Sequence, residues 1–276
     1  MLDPLPLAGR VAIVTGGGAG IGGGVSRTLA AAGALVVVND IVPEHAEATR
    51  ADIAESGGEA VSVVGDIRSA SLVLELRDIA LAAGNGAIDI LVNNVGDYRP
   101  ASGHFLKSTE EQWRDLYAIN LEHVFRCTHA VLPTMVKRGS GSIVNVSTVE
   151  ALRGIPSNAV YSAFNAGIIA FTRSLAVETG RHGVRVNAIA PDMADTLQTP
   201  AVSMLRGRDP ALVASWIPLG RFGRPEDYGR VVVFLAGDES RFVTGHTIPV
   251  DGGTLAASGW YGRANGPGWT NLPDRA

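Results

Sequence analysis

The sequence predicts a doubly wound α/β fold, a parallel sheet of about seven strands with helices on both faces. Short β-branched runs alternate with longer helical patterns along the 276 residues, as in chains built from strand-helix-strand units. The strand runs are apolar almost throughout, as strands buried on both faces must be. No repeat, low-complexity segment or linker divides the chain, so residues 1–276 are expected to form a single domain.

The predicted strands are marked by their β-branched and apolar residues, and they comprise residues 11–15, 35–39, 60–64, 88–93, 142–146, 184–189 and 246–250. Between the fourth and fifth strands, Ser108-Thr-Glu-Glu111 has capping-box spacing and predicts a long helix running towards Met135. The segments 192–216 and 254–276 break the alternation. Irregular segments of that length are usually substrate loops or disordered extensions.

Composition narrows the functional classes. Hydrophobic residues make up 46% of the chain and the formal charge is −4, so a folded core is expected and nucleic acid is an improbable partner. A single cysteine, Cys127, and six histidines without ligand spacing predict neither a disulfide framework nor a metal site. No export signal is present and no window approaches the length of a membrane span, so a cytoplasmic protein without membrane contact is expected.

A glycine-rich turn follows the first predicted strand directly. It reads Gly16-Gly-Gly18-Ala-Gly20-Ile21-Gly22 and leads into a helix. Glycines there permit a tight turn that brings backbone amides close to a pyrophosphate at the positive end of the helix. Asp40 closes the second strand, where a carboxylate can accept hydrogen bonds from ribose hydroxyls and would repel a 2′-phosphate. The pattern therefore predicts a dinucleotide site that prefers NAD to NADP; the alternative for Asp40 is a solvated strand end.

Several markers in order make the chain resemble the short-chain dehydrogenase/reductase family between about residues 9 and 253. They are Thr15-Gly16-xxx-Gly20-Ile21-Gly22, Asp66-Ile67, Asn93-Asn94-Val95-Gly96, Asn120, residues 143–148, Tyr161, Arg185-Val186-Asn187 and Asp251-Gly252-Gly253. The resemblance implies a Rossmann fold that binds a nicotinamide nucleotide. It also implies that Asp66 and Ile67 contact the adenine, that Asn94 and Gly96 line the cofactor, and that Pro191 and Thr196 lie at the nicotinamide carboxamide. Asn93 has a structural interpretation with equal support.

The same resemblance assigns the catalytic residues. Tyr161 would exchange a proton with the substrate oxygen, and Thr148, 13 residues earlier, stands where the family has a serine whose hydroxyl bonds that oxygen. Asn120 matches the family asparagine that holds a water in the proton path. Asn165 occupies the position of the family lysine, so it can reach the nicotinamide ribose but supplies no positive charge. Without that charge Tyr161 is expected to be a weak base at neutral pH, with a pKa of about 10. The activity is therefore expected to have an alkaline pH optimum.

Other expectations concern the substrate end. Asp192 follows Pro191 where the family usually has glycine; it is expected either to act near the nicotinamide or to point to solvent and cap a turn. Five polar or aromatic residues are expected at the substrate mouth, namely Glu150, Arg153, Asp97, Tyr98 and His104. Four aromatics in the irregular segments are expected either to cover a ring-containing substrate or to bury a subunit interface: Trp216, Trp260, Tyr261 and Trp269. A homotetramer is expected from the resemblance.

The sequence thus favours an NAD-dependent oxidoreductase acting on a secondary alcohol or ketone. Because the lysine is replaced, two alternatives stay open. One is a non-redox dehydratase, cyclase or isomerase on the same scaffold, and the other is a catalytically silent NAD-binding protein.

Overall fold

A seven-stranded parallel sheet forms the centre of the computed structural model, which describes residues 5–257, 259–263 and 269–270. The strands are β1 (Val11–Thr15), β2 (Leu35–Asp40), β3 (Glu59–Val64), β4 (Ile90–Asn93), β5 (Gly141–Val146), β6 (Val184–Pro191) and β7 (Thr247–Val250). Their order is β3-β2-β1-β4-β5-β6-β7, and every neighbouring pair is parallel. The predicted fold class is confirmed, and the order reverses between β1 and β4, where doubly wound folds bind their ligands.

The predicted strand bounds agree best where burial is complete. All five residues of β1 are buried, and its bounds are those predicted. β6 extends past the prediction to Pro191, because Pro191 pairs with Val250 of β7. β4 begins two residues later than predicted, since Ile88 is buried but lies before the first paired residue.

Helices cover both faces of the sheet. The main ones are α1 (Gly20–Ala31), α2 (Pro43–Glu55), α3 (Ala70–Ala83), α4 (Glu110–Tyr117), α5 (His123–Arg138) and α6 (Ala159–Thr179). After β6 come α7 (Ala201–Leu205), α8 (Val213–Trp216) and α9 (Pro225–Ala236). One apolar core joins α1, α2 and α9 to the sheet, and a second joins α3, α5 and α6 to its other face. Cys127 is a free, buried thiol in the second core.

The helix predicted from Ser108 begins one residue later than the sequence suggested. Thr109 is the N-cap, and it forms a reciprocal capping box with Gln112. Ser108 instead donates to the carbonyl of Phe105. The helical path continues through a π-helical turn, Ala118–Glu122, into α5. Gly139 ends α5 in the left-handed region at φ 70°, a conformation that glycine adopts without steric cost.

The two segments predicted to be irregular contain secondary structure. Residues 192–216 include the short helices α7 and α8, so that segment is irregular only in part. In the tail, β8 (Tyr261–Gly262) pairs with β9 (Trp269–Thr270) in an antiparallel ladder. The remaining tail residues 258, 264–268 and 271–276 lie outside the described residues, as does the side chain of Trp269.

Within the described part of the chain, one helical stretch is long and apolar enough to cross a membrane by length and composition alone. It is Ala159–His182, with a mean hydropathy of 1.2. The expectation that no window reaches this length is therefore wrong. The stretch comprises α6 and the turn after it, and Ile168, Leu175 and Ala176 on it are buried. Buried core helices of α/β proteins commonly meet the same test.

Candidate active site

A cavity of about 590 Å³ opens at the carboxyl ends of β1 to β6. Its volume lies in the range of small-molecule and cofactor sites. It brings together most of the predicted site residues, namely Gly16, Gly20, Ile21, Asp40, Asp66, Ile67, Asn94, Gly96, Thr148, Tyr161, Asn165, Pro191 and Thr196. Three predicted residues, Gly18, Gly22 and Asn120, are not among its lining residues.

Gly18 and Gly22, which do not line the cavity, allow close backbone packing within and around the turn. A Cβ on Gly22 would collide with the carbonyl oxygen of Gly16, and a Cβ on Gly18 would lie 2.7 Å from the backbone nitrogen of Ala46. Gly16 and Gly20 have positive φ values of 59° and 54°. The sequence was correct that this turn needs glycine, but at Gly18 and Gly22 the requirement comes from the packing of neighbouring backbone.

Asp40 is buried at the end of β2, with 8% of its surface exposed. Its carboxylate accepts hydrogen bonds from the backbone amides of Gly18, at 3.1 Å, and Val42, at 3.0 Å. The alternative of a solvated strand end is therefore wrong. The bond to Gly18 links Asp40 directly to the glycine turn. The two parts of the predicted nucleotide site are therefore in contact with each other.

Asp66 and Ile67 lie where the chain leaves β3. Arg68 forms an ion pair with Asp66 at 2.6 Å, and hydrogen bonding to this guanidinium is the main cause that lowers the pKa of the Asp66 carboxyl. Ile67 is 3% exposed. Arg68 also lines the cavity, although no sequence pattern predicts this.

The two adjacent asparagines after β4 have different surroundings. Asn94 donates from Nδ2 to the carbonyls of Thr15 and Gly16, and so fixes the glycine turn against β4. Asn93 donates to Asn145 Oδ1 at 2.8 Å and to Thr128 Oγ1 at 3.2 Å, inside the protein. Of the two interpretations left open for Asn93, the geometry supports the structural one.

Asn120 lies in the π-helical turn and is 1% exposed. Its Nδ2 donates to the carbonyls of Asp97, at 2.8 Å, and Leu116, at 2.9 Å, while its Oδ1 accepts from the amide of Asp97 at 3.0 Å. The side chain thus holds the backbone of the loop after β4. This loop carries Gly96, and a Cβ on Gly96 would lie 3.2 Å from the Asn120 oxygen.

Tyr161 and Thr148 meet in the cavity from α6 and from the end of β5. Burial is the largest cause that raises the pKa of Tyr161 above its usual range. The charges of Glu150 and Asp97 raise it further, and a hydrogen bond with the Thr148 side chain opposes them. The Tyr161 pKa is therefore expected to lie above the value of about 10 assumed from sequence. The ring of Tyr98 packs edge-on to Tyr161, with centroids 6.2 Å apart.

Asn165 is 3% exposed and lies one helical turn after Tyr161. Its side-chain Nδ2 donates to the backbone carbonyl of Tyr161 at 3.0 Å, and its backbone carbonyl accepts from Ser147 Oγ at 3.0 Å. The amide is neutral and bonds to the backbone of its own helix. It therefore contributes no charge that would favour the phenolate form of Tyr161.

Asp192 lines the cavity, yet its side chain is already paired. Its Oδ2 forms an ion pair with Arg153 at 2.6 Å and accepts from Thr254 Oγ1 at 2.6 Å, while Oδ1 accepts from the amide of Met193. The side chain is 12% exposed, so the expectation that it points to solvent is wrong. The Arg153 guanidinium also donates to the carbonyl of Thr254, which joins the chain after β5, the end of β6 and the chain after β7.

The substrate-mouth predictions are met in part. Asp97, Tyr98 and Glu150 line the cavity, whereas Arg153 and His104 do not. None of the described aromatic side chains of the irregular segments lines it either, so no lid by Trp216, Trp260 or Tyr261 is present in this structure. The sequence analysis did not predict several residues that line the cavity, although most of them are adjacent in sequence to a predicted residue. The unpredicted lining residues include Asn39, His45, Arg68, Ile119, Ser147, Met193, Gln198 and Thr199. Among the described residues no cluster of potential metal ligands is found.

Comparison with known proteins finds similarity over most of the chain. Residues 16–254 match a family model described as enoyl-(acyl carrier protein) reductase. A 3-oxoacyl-[acyl-carrier-protein] reductase of Thermotoga maritima is 38% identical over 249 residues, 90% of this chain and 99% of that protein. A cis-4-hydroxycyclohexanecarboxylate dehydrogenase of Sinomonas cyclohexanicum is 40% identical over 250 residues, 90% of this chain and 98% of its own.

A solved structure has a similar fold over most of this chain. It is that of a putative NAD(P)-dependent gluconate 5-dehydrogenase from Beutenbergia cavernae, which contains NADP at low occupancy. It superposes with a TM-score of 0.83 at 35% identity, covering 92% of this chain and 100% of that one.

Proposed function

The chain belongs to the short-chain dehydrogenase/reductase family, and from this premise we propose that it is an NAD-dependent oxidoreductase that interconverts a secondary alcohol and a ketone. One observation carries the proposal. A single cavity joins the glycine turn and Asp40 to the Thr148 and Tyr161 hydroxyls. A nucleotide site and a proton-exchanging pair therefore open onto the same space, as hydride transfer to or from a carbinol carbon requires.

The residues present fit a nicotinamide dinucleotide. Gly16 and Gly20 line the cavity with positive φ values of 59° and 54°, so the backbone at the start of α1 can approach a pyrophosphate closely. Asp66 and Ile67 would contact the adenine, Asn94 and Gly96 would line the cofactor, and the chain from Pro191 to Thr196 would hold the carboxamide. When bound, the cofactor supplies or accepts the hydride.

The preference for NAD over NADP rests on Asp40. Its carboxylate lines the cavity and can accept bonds from both ribose hydroxyls, whereas it would repel a 2′-phosphate. Arg68 lines the same cavity but is paired with Asp66, which reduces its availability for that phosphate. The relative with bound NADP shows that the family scaffold also accepts the phosphorylated cofactor.

At the reacting end, Tyr161 exchanges the proton with the substrate oxygen, and Thr148 bonds that oxygen. Asn120 fixes the loop after β4 and belongs to the proton path that the family uses. Asn165, in place of the family lysine, would hold the ribose without providing charge. The proposal includes a ring-containing small-molecule substrate, one domain over residues 1–276, a cytoplasmic location and a homotetramer; nucleic acid and membrane are not among its partners.

The proposal is tested by following nicotinamide absorbance with purified protein, NAD or NADP, and a panel of cyclic, aromatic and acyclic secondary alcohols. We expect NADH to form faster than NADPH with at least one alcohol, and Tyr161→Phe to abolish its formation. Substrate conversion without a change in absorbance would favour the non-redox alternative that the neutral Asn165 keeps open. Binding of NAD without turnover of any member would favour a silent binding protein.

A further inference from the structure

Three carboxylates lie at the substrate end of the cavity, and they differ in their partners. Asp97 is held by Arg99, with Nε to Oδ1 at 2.9 Å, and Asp192 is held by Arg153 at 2.6 Å. Glu150 has no ion pair within the described part of the chain. Its carboxylate accepts only a long hydrogen bond from Asn158 Nδ2, at 3.4 Å, among the side chains described. Glu150 is therefore the carboxylate at this end that is free to take up a proton.

Its position couples Glu150 to the reacting pair. It lies two residues after Thr148 in a short 3-10 turn, Val149–Ala151, and its amide donates to Thr148 Oγ1 at 3.3 Å. It lines the same cavity as Tyr161 and is half-buried. After burial, its negative charge is the largest cause of the raised pKa of Tyr161, so the ionisation of one group affects the other.

Tyr161 needs such a partner if it is to act as a base. With its pKa raised and only the neutral amide of Asn165 beside it, very little phenolate exists at neutral pH. A protonated tyrosine can accept the substrate proton only if its own proton leaves in the same step. Asn165 has no basic atom to receive that proton, and Glu150 is the carboxylate at this end of the cavity that no cation pairs with among the described residues.

We propose that Glu150 is the proton acceptor for Tyr161 during alcohol oxidation, a role that rests on the proposed oxidoreductase function. The carbinol C–H bond breaks and its electron pair leaves as hydride to the oxidised nicotinamide nucleotide. The substrate O–H proton moves to the Tyr161 oxygen, the Tyr161 proton moves to a bridging water that gives one of its own protons to the Glu150 carboxylate, and the C=O bond forms. Glu150 then returns its proton to solvent, and ketone reduction runs through the same groups in reverse.

The groups around Glu150 set the pH range of this step. Burial raises the pKa of Glu150, the charge of Asp192 raises it further, and Asn158 and Arg153 lower it. Asp97 faces the cavity from the loop after β4, and Tyr161 faces it from α6. Because acceptance requires the ionised carboxylate, the oxidation rate should rise with pH through the Glu150 pKa and level off. A second rise should follow only where Tyr161 itself ionises.

The test compares pH profiles of kcat and kcat/KM for the native protein, Glu150→Gln and Glu178→Gln, using the alcohol found in the panel. Glu178 is exposed on α6 and provides the matched control. We expect Glu150→Gln to lose the first rise, to fall in kcat near pH 7 by at least ~100-fold, the lower range for a general base, and to remain active only at alkaline pH. Added formate should restore part of the activity of Glu150→Ala, because a small carboxylate can enter the space left.

A second measurement needs neither cofactor nor substrate. Tyrosinate absorbance is titrated in the free protein, and the signal of Tyr161 is isolated by subtracting that of Tyr161→Phe. We expect Glu150→Gln to lower the Tyr161 pKa, since it removes a neighbouring negative charge, and Glu178→Gln to leave it unchanged. An unaltered Tyr161 pKa in Glu150→Gln would overturn the coupling on which the proposal depends.

The outcomes separate the two proposals. Continued NADH formation by Tyr161→Phe would remove the proposed function itself. Loss of activity in Tyr161→Phe, with a native pH profile in Glu150→Gln, would overturn only the role of Glu150. A higher KM with unchanged kcat at every pH would mean that Glu150 recognises the substrate, and would likewise contradict proton acceptance.

Discussion

At the scale of single residues, two features set the pKa of Tyr161. Residue 165 carries no positive charge, and the negative charges of Glu150 and Asp97 act on the tyrosine hydroxyl. Burial and the carboxylates of Glu150 and Asp97 raise the Tyr161 pKa, and Asn165 offers no opposing charge. Each pKa unit corresponds to about 1.4 kcal/mol of difference between the two protonation states. The identity of residue 165 and the charge of residue 150 therefore act on the same equilibrium.

Replacing Asn165 with lysine tests this balance. Residue 165 lines the cavity, so a longer side chain has space to extend beside Tyr161. We expect Asn165→Lys to lower the Tyr161 pKa and to raise turnover near neutral pH by about tenfold for each pKa unit. Turnover and tyrosinate absorbance measure both effects.

The control for this change is Asn165→Met, which has similar length without charge. Equal turnover in the two variants would show that space, and not charge, limits the site. In the Asn165→Lys background, Glu150→Gln should reduce activity less than in the native protein, because either residue would assist the loss of the Tyr161 hydroxyl proton.

At the scale of elements, the helical path from Thr109 to Arg138 is what places Asn120 behind the loop after β4. Its π-helical turn aligns the Asn120 amide with both backbone groups of Asp97. π-turns inside helices occur frequently at functional sites. The capping box at Thr109 stabilises the first turn of this path, well away from the cavity.

Removing that cap should weaken the protein without altering its chemistry. Thr109→Ala loses the side-chain acceptor for the amide of Gln112, and we expect the free energy of unfolding to fall by about 1 kcal/mol. Chemical denaturation measures it, with Thr109→Ser as the control that keeps the hydroxyl. A similar loss in the serine variant would mean that the methyl group, not the cap, carries the stability.

At the scale of the whole molecule, the two apolar layers fix how closely the helices approach the sheet and one another. α1 and α9 pack at a glycine contact on one face, where a Cβ on Gly24 would lie 2.6 Å from the Pro225 carbonyl oxygen. The adjacent Gly23 has its nearest such neighbour at 3.4 Å. The close approach of α9 therefore requires glycine at position 24 but not at position 23.

The two glycines give a matched pair for measuring this packing. We expect Gly24→Ala to lower the free energy of unfolding by about 1–3 kcal/mol, because the inserted methyl group forces α1 and α9 apart. Gly23→Ala should be neutral or stabilising by up to about 1 kcal/mol, since alanine favours a helix. Thermal and denaturant unfolding of both variants measure the difference, and equal effects would contradict a close helix contact at Gly24.

The sheet, the glycine turn and the residues that meet at the strand ends could be predicted from the sequence. Strands such as β1 are apolar throughout, and parallel strands bring their carboxyl ends to one edge, so the glycine turn and Asp40 could be placed together from their positions. Asn94, Thr148 and Pro191 were placed there by the resemblance to the family. These features follow from local pattern and from a topology with few alternatives.

Which charges are paired could be read only from the three-dimensional arrangement. Asp192 is bound by Arg153, 39 residues away, and by Thr254, 62 residues away, whereas Glu150 forms no ion pair among the described residues. The structural role of Asn93 and the bonds of Asn120 to the backbone of Asp97 were decided in the same way. Pairing depends on distances of a few ångströms between distant segments, and hydrophobic periodicity carries no information at that scale.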